Sequence, residues 1–171
     1  MQPGCISLLC SPVRSSSSTP YLFGDLLALA RRSWVQTMAQ CLHELGHADY
    51  RRSDAAVLRL IARRPLAAGE LGAVLGVTRQ AARKLVAGLE QRGYARLESD
   101  PRDSRRHTVV LTTTGEAYAA AIVATLEAMN RELGERVDRA ALIAADAVLR
   151  ASLADDDARR RAAALVAPPA P

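Results

Sequence analysis

The chain has 171 residues, 49% of them hydrophobic, enough to bury a sizeable interior without metal or disulfide staples. Only 4% are aromatic, while alanine, leucine and arginine recur throughout, a composition that favours helix because these side chains lose little freedom there. Charge is uneven: residues 51–112 hold 13 basic and 6 acidic side chains against 10 and 12 elsewhere, so the basic excess behind the net +5 lies in one central segment suited to a polyanion.

No apolar run reaches the roughly 18 residues that a membrane span needs, and no basic residue precedes the short apolar stretch at Cys5–Cys10. A signal peptide, a transmembrane helix and a membrane partner are therefore not expected. Three cysteines, Cys5, Cys10 and Cys41, suit neither a disulfide framework nor a zinc ribbon, and a reducing cytoplasm is the expected location.

In chain order, residues 1–20 include the Ser/Pro-rich stretch SPVRSSSSTP and read as a disordered leader. Phe23, Leu27, Ala30, Trp34, Met38, Cys41 and Leu45 then recur at three- and four-residue spacing, an apolar stripe along a helix of about six turns. Ser53 is placed to cap a helix carrying Val57, Leu58, Leu60 and Ile61, which should stop before Pro65. A short helix over about Ala68–Leu75 follows. Gly76 then permits a turn, Val77 is expected to plug the core, and Thr78 to cap a helix that buries Ala82, Leu85, Val86 and Leu89. Gly93 should close it, although Gly88 inside it costs about 1 kcal/mol relative to alanine.

Residues from Tyr94 to Glu98, the turn-rich SDPRDSRR and the β-branched stretch His107–Leu111 predict a hairpin with a charged tip. A second long helix begins where Thr113 stands three residues before Glu116, a capping-box spacing, and carries Tyr118, Ile122, Leu126, Met129, Leu133 and Val137. A third carries Leu142, Leu149 and Leu153. Residues 159–171 are expected to be a disordered tail.

The expected fold is mainly α with a small β-hairpin wing, a winged helix-turn-helix with a helical dimerisation platform. Residues 51–112 form its DNA-binding domain, and residues 21–50 and 113–158 form the platform. Burial of Ala82, Leu85, Val86 and Leu89 leaves Arg79, Gln80, Ala81, Arg83 and Lys84 at or near the outer face of the fourth helix. Arginine can donate two parallel hydrogen bonds to guanine and glutamine can pair with adenine, so Arg79, Gln80 and Arg83 are the expected base readers. Lys84 and Thr78 are placed to touch phosphate. At the hairpin tip, Arg102, Arg105 and Arg106 alternate with Asp100 and Asp103, and an arginine braced by aspartate can enter a narrow minor groove.

The segment LGAVLGVTRQAARKLVAGLEQRGYARL (71–97) followed by DPRDSRRHTVVLTTTGEAY resembles the MarR family of regulators. Asp100, Pro101, Asp103 and Arg105 match that family's wing, and Leu111, Thr112 and Gly115 match the strand end that follows it. The resemblance implies that Arg105 is the minor-groove residue and Asp103 its brace. It also implies interleaved terminal helices in a homodimer, a near-palindromic operator, and repression through double-stranded DNA binding that a small-molecule effector or a redox change relieves. No cofactor and no catalysis are implied. Trp34, Met38 and Cys41 are candidate pocket residues, with ordinary core packing as the competing expectation.

One motif points elsewhere. His43–His47 reads HELGH, a match to H-E-x-x-H, in which two histidines one helical turn apart bind zinc and a glutamate acts as general base. A zinc-dependent peptidase, or a metal-sensing regulator using His43, Glu44 and His47, is the alternative expectation, weakened by Gly46 and by the lack of a nearby third ligand. A winged-helix module that binds protein rather than DNA is a third.

Overall fold

A computed structural model describes residues 23–100, 103–153 and 155–166. The expected leader, Cys5, Cys10, Arg102, and residues 167–171 of the expected tail lie outside the described residues. Seven helices and one hairpin occupy the described chain: α1 (Phe23–Glu44), α2 (Asp54–Arg63), α3 (Ala68–Leu75), α4 (Arg79–Gln91), β1 (Ala95–Asp100), β2 (Asp103–Leu111), α5 (Thr113–Arg136), α6 (Arg139–Ala151) and α7 (Asp156–Val166). The protein is thus mainly helical with a small β-hairpin, a winged helix-turn-helix.

Apolar stripes on α1, α2, α4 and α5 converge on one core. Leu42, Leu58, Leu71, Leu89, Val109, Tyr118, Ile122 and Met129 are all buried within it. Helix α2 stops at Arg63, ahead of Pro65, as the restriction on the residue before proline dictates. The hairpin pairs antiparallel from Ala95↔Leu111 to Ser99↔His107, then shifts register at Ser99/Asp100. Its base is stitched to the α2–α3 connector by two hydrogen bonds, from Val109 N–H to the Leu66 carbonyl at 2.8 Å and from Leu66 N–H to the Val109 carbonyl at 3.4 Å. That third strand-like contact fixes where the wing stands relative to α2.

Gly115, the last residue of the wing motif, has a steric reason to be glycine. A Cβ there would overlap the Tyr94 carbonyl group, so only glycine lets α5 start against the wing base.

Several local expectations are corrected. Ser53 stands before α2 with helical backbone and no side-chain cap; instead, the Asp54 carboxylate accepts the Arg51 N–H at 3.0 Å. Helix α5 is capped by Thr112 rather than Thr113: its hydroxyl accepts the Gly115 N–H at 3.0 Å and donates to the Gly93 carbonyl at 2.6 Å. The added bond to Gly93 ties the cap to the turn after α4, which a local spacing rule does not see. Val77 is exposed rather than a core plug, because the tight turn at Gly76 (φ +68°) carries it outward. Leu45 falls beyond α1 and is exposed. Most of the residues expected as a disordered tail, up to Val166, form α7, which packs against α3 and donates Leu165 to the edge of the core.

Among the described residues no helix is long and apolar enough to cross a membrane.

Candidate nucleic-acid interface

Helix α4 is set up by its own ends. The Thr78 side chain accepts the Ala81 N–H at 3.1 Å, satisfying one of the first-turn donors, and Gly93 (φ +75°) reverses the chain after Arg92. Ala82, Val86 and Leu89 are buried and Leu85 is half-buried, as the sequence pattern requires. That burial fixes the rotation of the helix, and Thr78, Arg79, Gln80, Arg83 and Lys84 are consequently exposed, with Ala81 half-buried between them. No acidic residue occupies the first turn of α4. Neither Arg79, Arg83 nor Lys84 has an ion-pair partner among the described residues, so their charge is directed to solvent.

Asp103, Arg105 and Arg106 lie on β2, one hairpin away, while their side chains fall outside the described part of the structure. The backbone therefore places these residues on the wing.

Behind α4 stands a polar knot that sequence reasoning missed. Asp54, almost fully buried, receives both ends of the Arg92 guanidinium, Nη1 to Oδ2 at 2.8 Å and Nη2 to Oδ1 at 3.0 Å. Tyr118 OH donates to the same carboxylate at 3.1 Å, and Tyr94 OH donates to Asp49 at 2.9 Å. The hydrogen bond to Asp54 holds the Arg92 guanidinium above its ordinary pKa. Burial, then the nearby Asp54 charge, pushes Tyr118 well above its usual value, and burial with the Asp49 hydrogen bond raises Tyr94. This knot joins the start of α2, the end of α4, the wing base and α5, so it fixes α4 on its support. The sequence signal was an aspartate at the start of a helix whose other buried positions, Val57, Leu58, Leu60 and Ile61, are all apolar.

The HELGH segment belongs to this knot rather than to a metal site. Helix α1 ends at Glu44, Gly46 takes φ +90°, and the His47 N–H bonds back to the Leu42 carbonyl at 2.8 Å. His47 thus lies past the helix end, with its ring stacked on Tyr118 at 4.5 Å, whereas His43 is exposed on α1. The premise of two histidines one helical turn apart on one helix fails, and the peptidase and metal-sensor expectations find no support in this geometry. Among the described residues no three His, Cys, Asp or Glu side chains gather as a metal site.

Met38 and Cys41 are closed into the core, and Trp34 is half-buried against it. A groove of about 710 Å³ lies elsewhere, between the end of α2, the hairpin and α5, walled by Ile61, Pro65, Leu111 and Val123 with Arg64 and Arg96 at its rim.

Against known proteins, the MarR family model matches residues 39–106. The chain is 33% identical over 103 residues to the transcriptional regulator HosA of Escherichia coli O111:H-, covering 60% of this chain and 75% of HosA. Among solved structures, it is similar to the transcriptional repressor CouR bound to a 23-mer DNA duplex, with TM-score 0.65, 23% identity, and coverage of 76% of this chain and 91% of that one. It is also similar to Bordetella bronchiseptica BpsR, whose DNA binding is regulated by 6-hydroxynicotinic acid, with TM-score 0.66, 19% identity, and coverage of 82% and 99%. At these identities the structural likenesses establish the fold.

Proposed function

The chain belongs to the MarR family of transcription regulators, and from that premise we propose that it is a sequence-specific repressor that binds double-stranded DNA as a homodimer. The observation that carries the reading is the capped first half of α4, where Arg79, Gln80, Arg83 and Lys84 stand exposed together and no carboxylate among the described residues pairs with them. Entering a major groove, Arg79, Gln80 and Arg83 read base edges and Thr78 and Lys84 hold phosphate. Arg105, braced by Asp103 and flanked by Arg102 and Arg106, reaches the minor groove beside it.

The homodimer is supported by apolar faces that nothing among the described residues covers: Phe23, Leu26, Leu27 and Leu29 on α1, and Ile143, Val148 and Leu149 on α6. A twofold pair of readers about 34–36 Å apart calls for a near-palindromic operator with half-sites one helical turn apart. Effector control is supported by the groove between α2, the hairpin and α5, because it lies where the winged unit meets the long helix α5. An occupant preferring one arrangement of the two changes the spacing of the readers. The burial of Cys41 favours a ligand over thiol oxidation as the signal.

The test is to recover genomic fragments bound by the purified protein and measure affinity for the recovered site against a scrambled duplex. Preference for the recovered site that falls with Arg79→Ala or Arg83→Ala supports the reading. Equal affinity for both duplexes in all three proteins refutes sequence-specific recognition.

A further inference from the structure

Helix α7 follows the platform helices in sequence, yet it returns to the reader. Asp155 caps it, accepting the Ala158 N–H at 2.6 Å. Ala158, Arg161, Ala162 and Leu165 form its half-buried side, and α7 packs on α3, the first helix of the helix-turn-helix. Arg63 at the end of α2 donates to the Ala164 carbonyl at 2.6 Å, holding the far end in place.

Three consecutive arginines on α7 have different fates. Arg159 is paired to Asp156 at 2.7 Å and Arg160 to Asp157, so each neutralises a carboxylate one turn earlier on the same exposed face. Arg161 has no carboxylate or hydrogen-bond partner among the described residues. Its side chain lies over Gly76: a Cβ built there would meet Arg161 Nε at 3.0 Å and Cδ at 3.1 Å. Gly76 is the bend of the helix-turn-helix, two residues before the Thr78 cap that opens α4. The end of the Arg161 side chain, from Cδ into the guanidinium, therefore lies on the bend, and its charge, without an ion-pair partner among the described residues, stands at this point two residues before the cap of α4.

We propose that α7 is a second DNA-contacting element, in which Arg161, seated on Gly76, binds a backbone phosphodiester at the edge of the groove that α4 enters. The proposal rests on the reading of α4 as a DNA reader and adds to it a contact that carries no sequence information. It gives the acidic side chains of α7 a role as well: Asp156 and Asp157 neutralise the neighbouring arginines, leaving one cation aimed at one place.

Phosphate contacts are read by salt, so the probe is a random-sequence duplex of about 30 base pairs titrated over a range of KCl concentrations. For the full chain the logarithm of affinity falls linearly with the logarithm of salt. Arg161→Gln should make that slope shallower by about 0.9 for each bound copy, and Arg161→Lys should restore it, because a point charge suffices for phosphate. Hydrogen exchange in α7 reports whether the helix stays docked in each variant. A docked α7 with an unchanged slope in Arg161→Gln overturns the proposal and leaves the reading of α4 standing. A slope lost equally in Arg161→Lys also overturns it, since the side chain is then a packing element. Absence of salt-dependent binding by the unaltered protein defeats the α4 reading and this one together.

Discussion

In the winged unit the apolar stripes close on one another: Leu58 of α2, Leu71 of α3, Leu89 of α4 and Val109 of β2 meet in a shared interior, braced by the Asp54–Arg92 pair. In the terminal helices stripes of the same kind face outward. Leu26 and Leu29 of α1 are each 55% exposed, Ile143 is 61% exposed, and α6 has no buried residue at all. An amphipathic pattern states that a face wants covering; only the length and spacing of its neighbours in the same chain decide whether they can cover it. The first region covers its own apolar faces, and the second leaves its apolar faces uncovered among the described residues.

The hardest way to break that contrast is at the buried pair. Asp54→Ala leaves the Arg92 guanidinium, itself largely buried, and the Tyr118 hydroxyl without their acceptor, and should cost about 3–5 kcal/mol in urea unfolding. Asp54→Leu combined with Arg92→Met removes both charges and should recover part of the loss. Equal stability of Asp54→Ala and the unaltered protein would show that the winged unit is held by packing alone. On the other region, Ile143→Glu replaces an exposed side chain and should leave the protomer's helix content unchanged. It should weaken self-association by about 1.5–3 kcal/mol, the value of burying one such side chain, as read by sedimentation over a dilution series. An unchanged association constant would mean that α6 lies outside the dimer contact.

What was legible in the sequence follows the same division. The α4 stripe and its Thr78 cap were readable because both are local, three- and four-residue relations that one helix satisfies by itself. The long stripes were readable as helices too, but their partner was not, since periodicity carries no information about what covers a face. The Asp54–Arg92 pair spans 38 residues and the Tyr118–Asp54 bond 64, and neither leaves a local trace. HELGH was legible by the same local rule: its spacing suits a metal pair, while Gly46, visible in the sequence as a helix terminator, takes a left-handed conformation and breaks the required face. Residues of α7 were mistaken for a tail because they are rich in arginine and alanine; the Arg63 contact that docks them comes from about a hundred positions away in sequence.

Between the two regions in size of effect lies recognition itself. Arg83 is exposed and has no ion-pair partner among the described residues, so Arg83→Ala should leave the melting temperature unchanged while weakening binding to the recovered operator by about 1–3 kcal/mol, the worth of one bidentate base contact. Binding to random duplex should fall much less. A loss equal on both duplexes would reassign Arg83 from base reader to phosphate contact and sharpen the comparison between α4 and α7, since one would then supply affinity and neither, through that residue, specificity.

The smallest effect is also the most discriminating between the regions. Gly88 stands inside α4, where alanine is favoured by up to about 1 kcal/mol because it loses less backbone freedom on folding. A Cβ at this position meets only Arg51 Nη1, at 3.3 Å, the mobile end of a long side chain that can yield. Gly88→Ala should therefore stabilise the winged unit, and if that unit unfolds together with the rest of the chain, the melting temperature should rise by about 2–4 °C. If instead the platform opens first, thermal unfolding should separate into two transitions, with only the later one moved by the substitution. No shift in either would place the strain of Arg51 above the gain in helix propensity, and would mean that the glycine is held there by the side chain it faces.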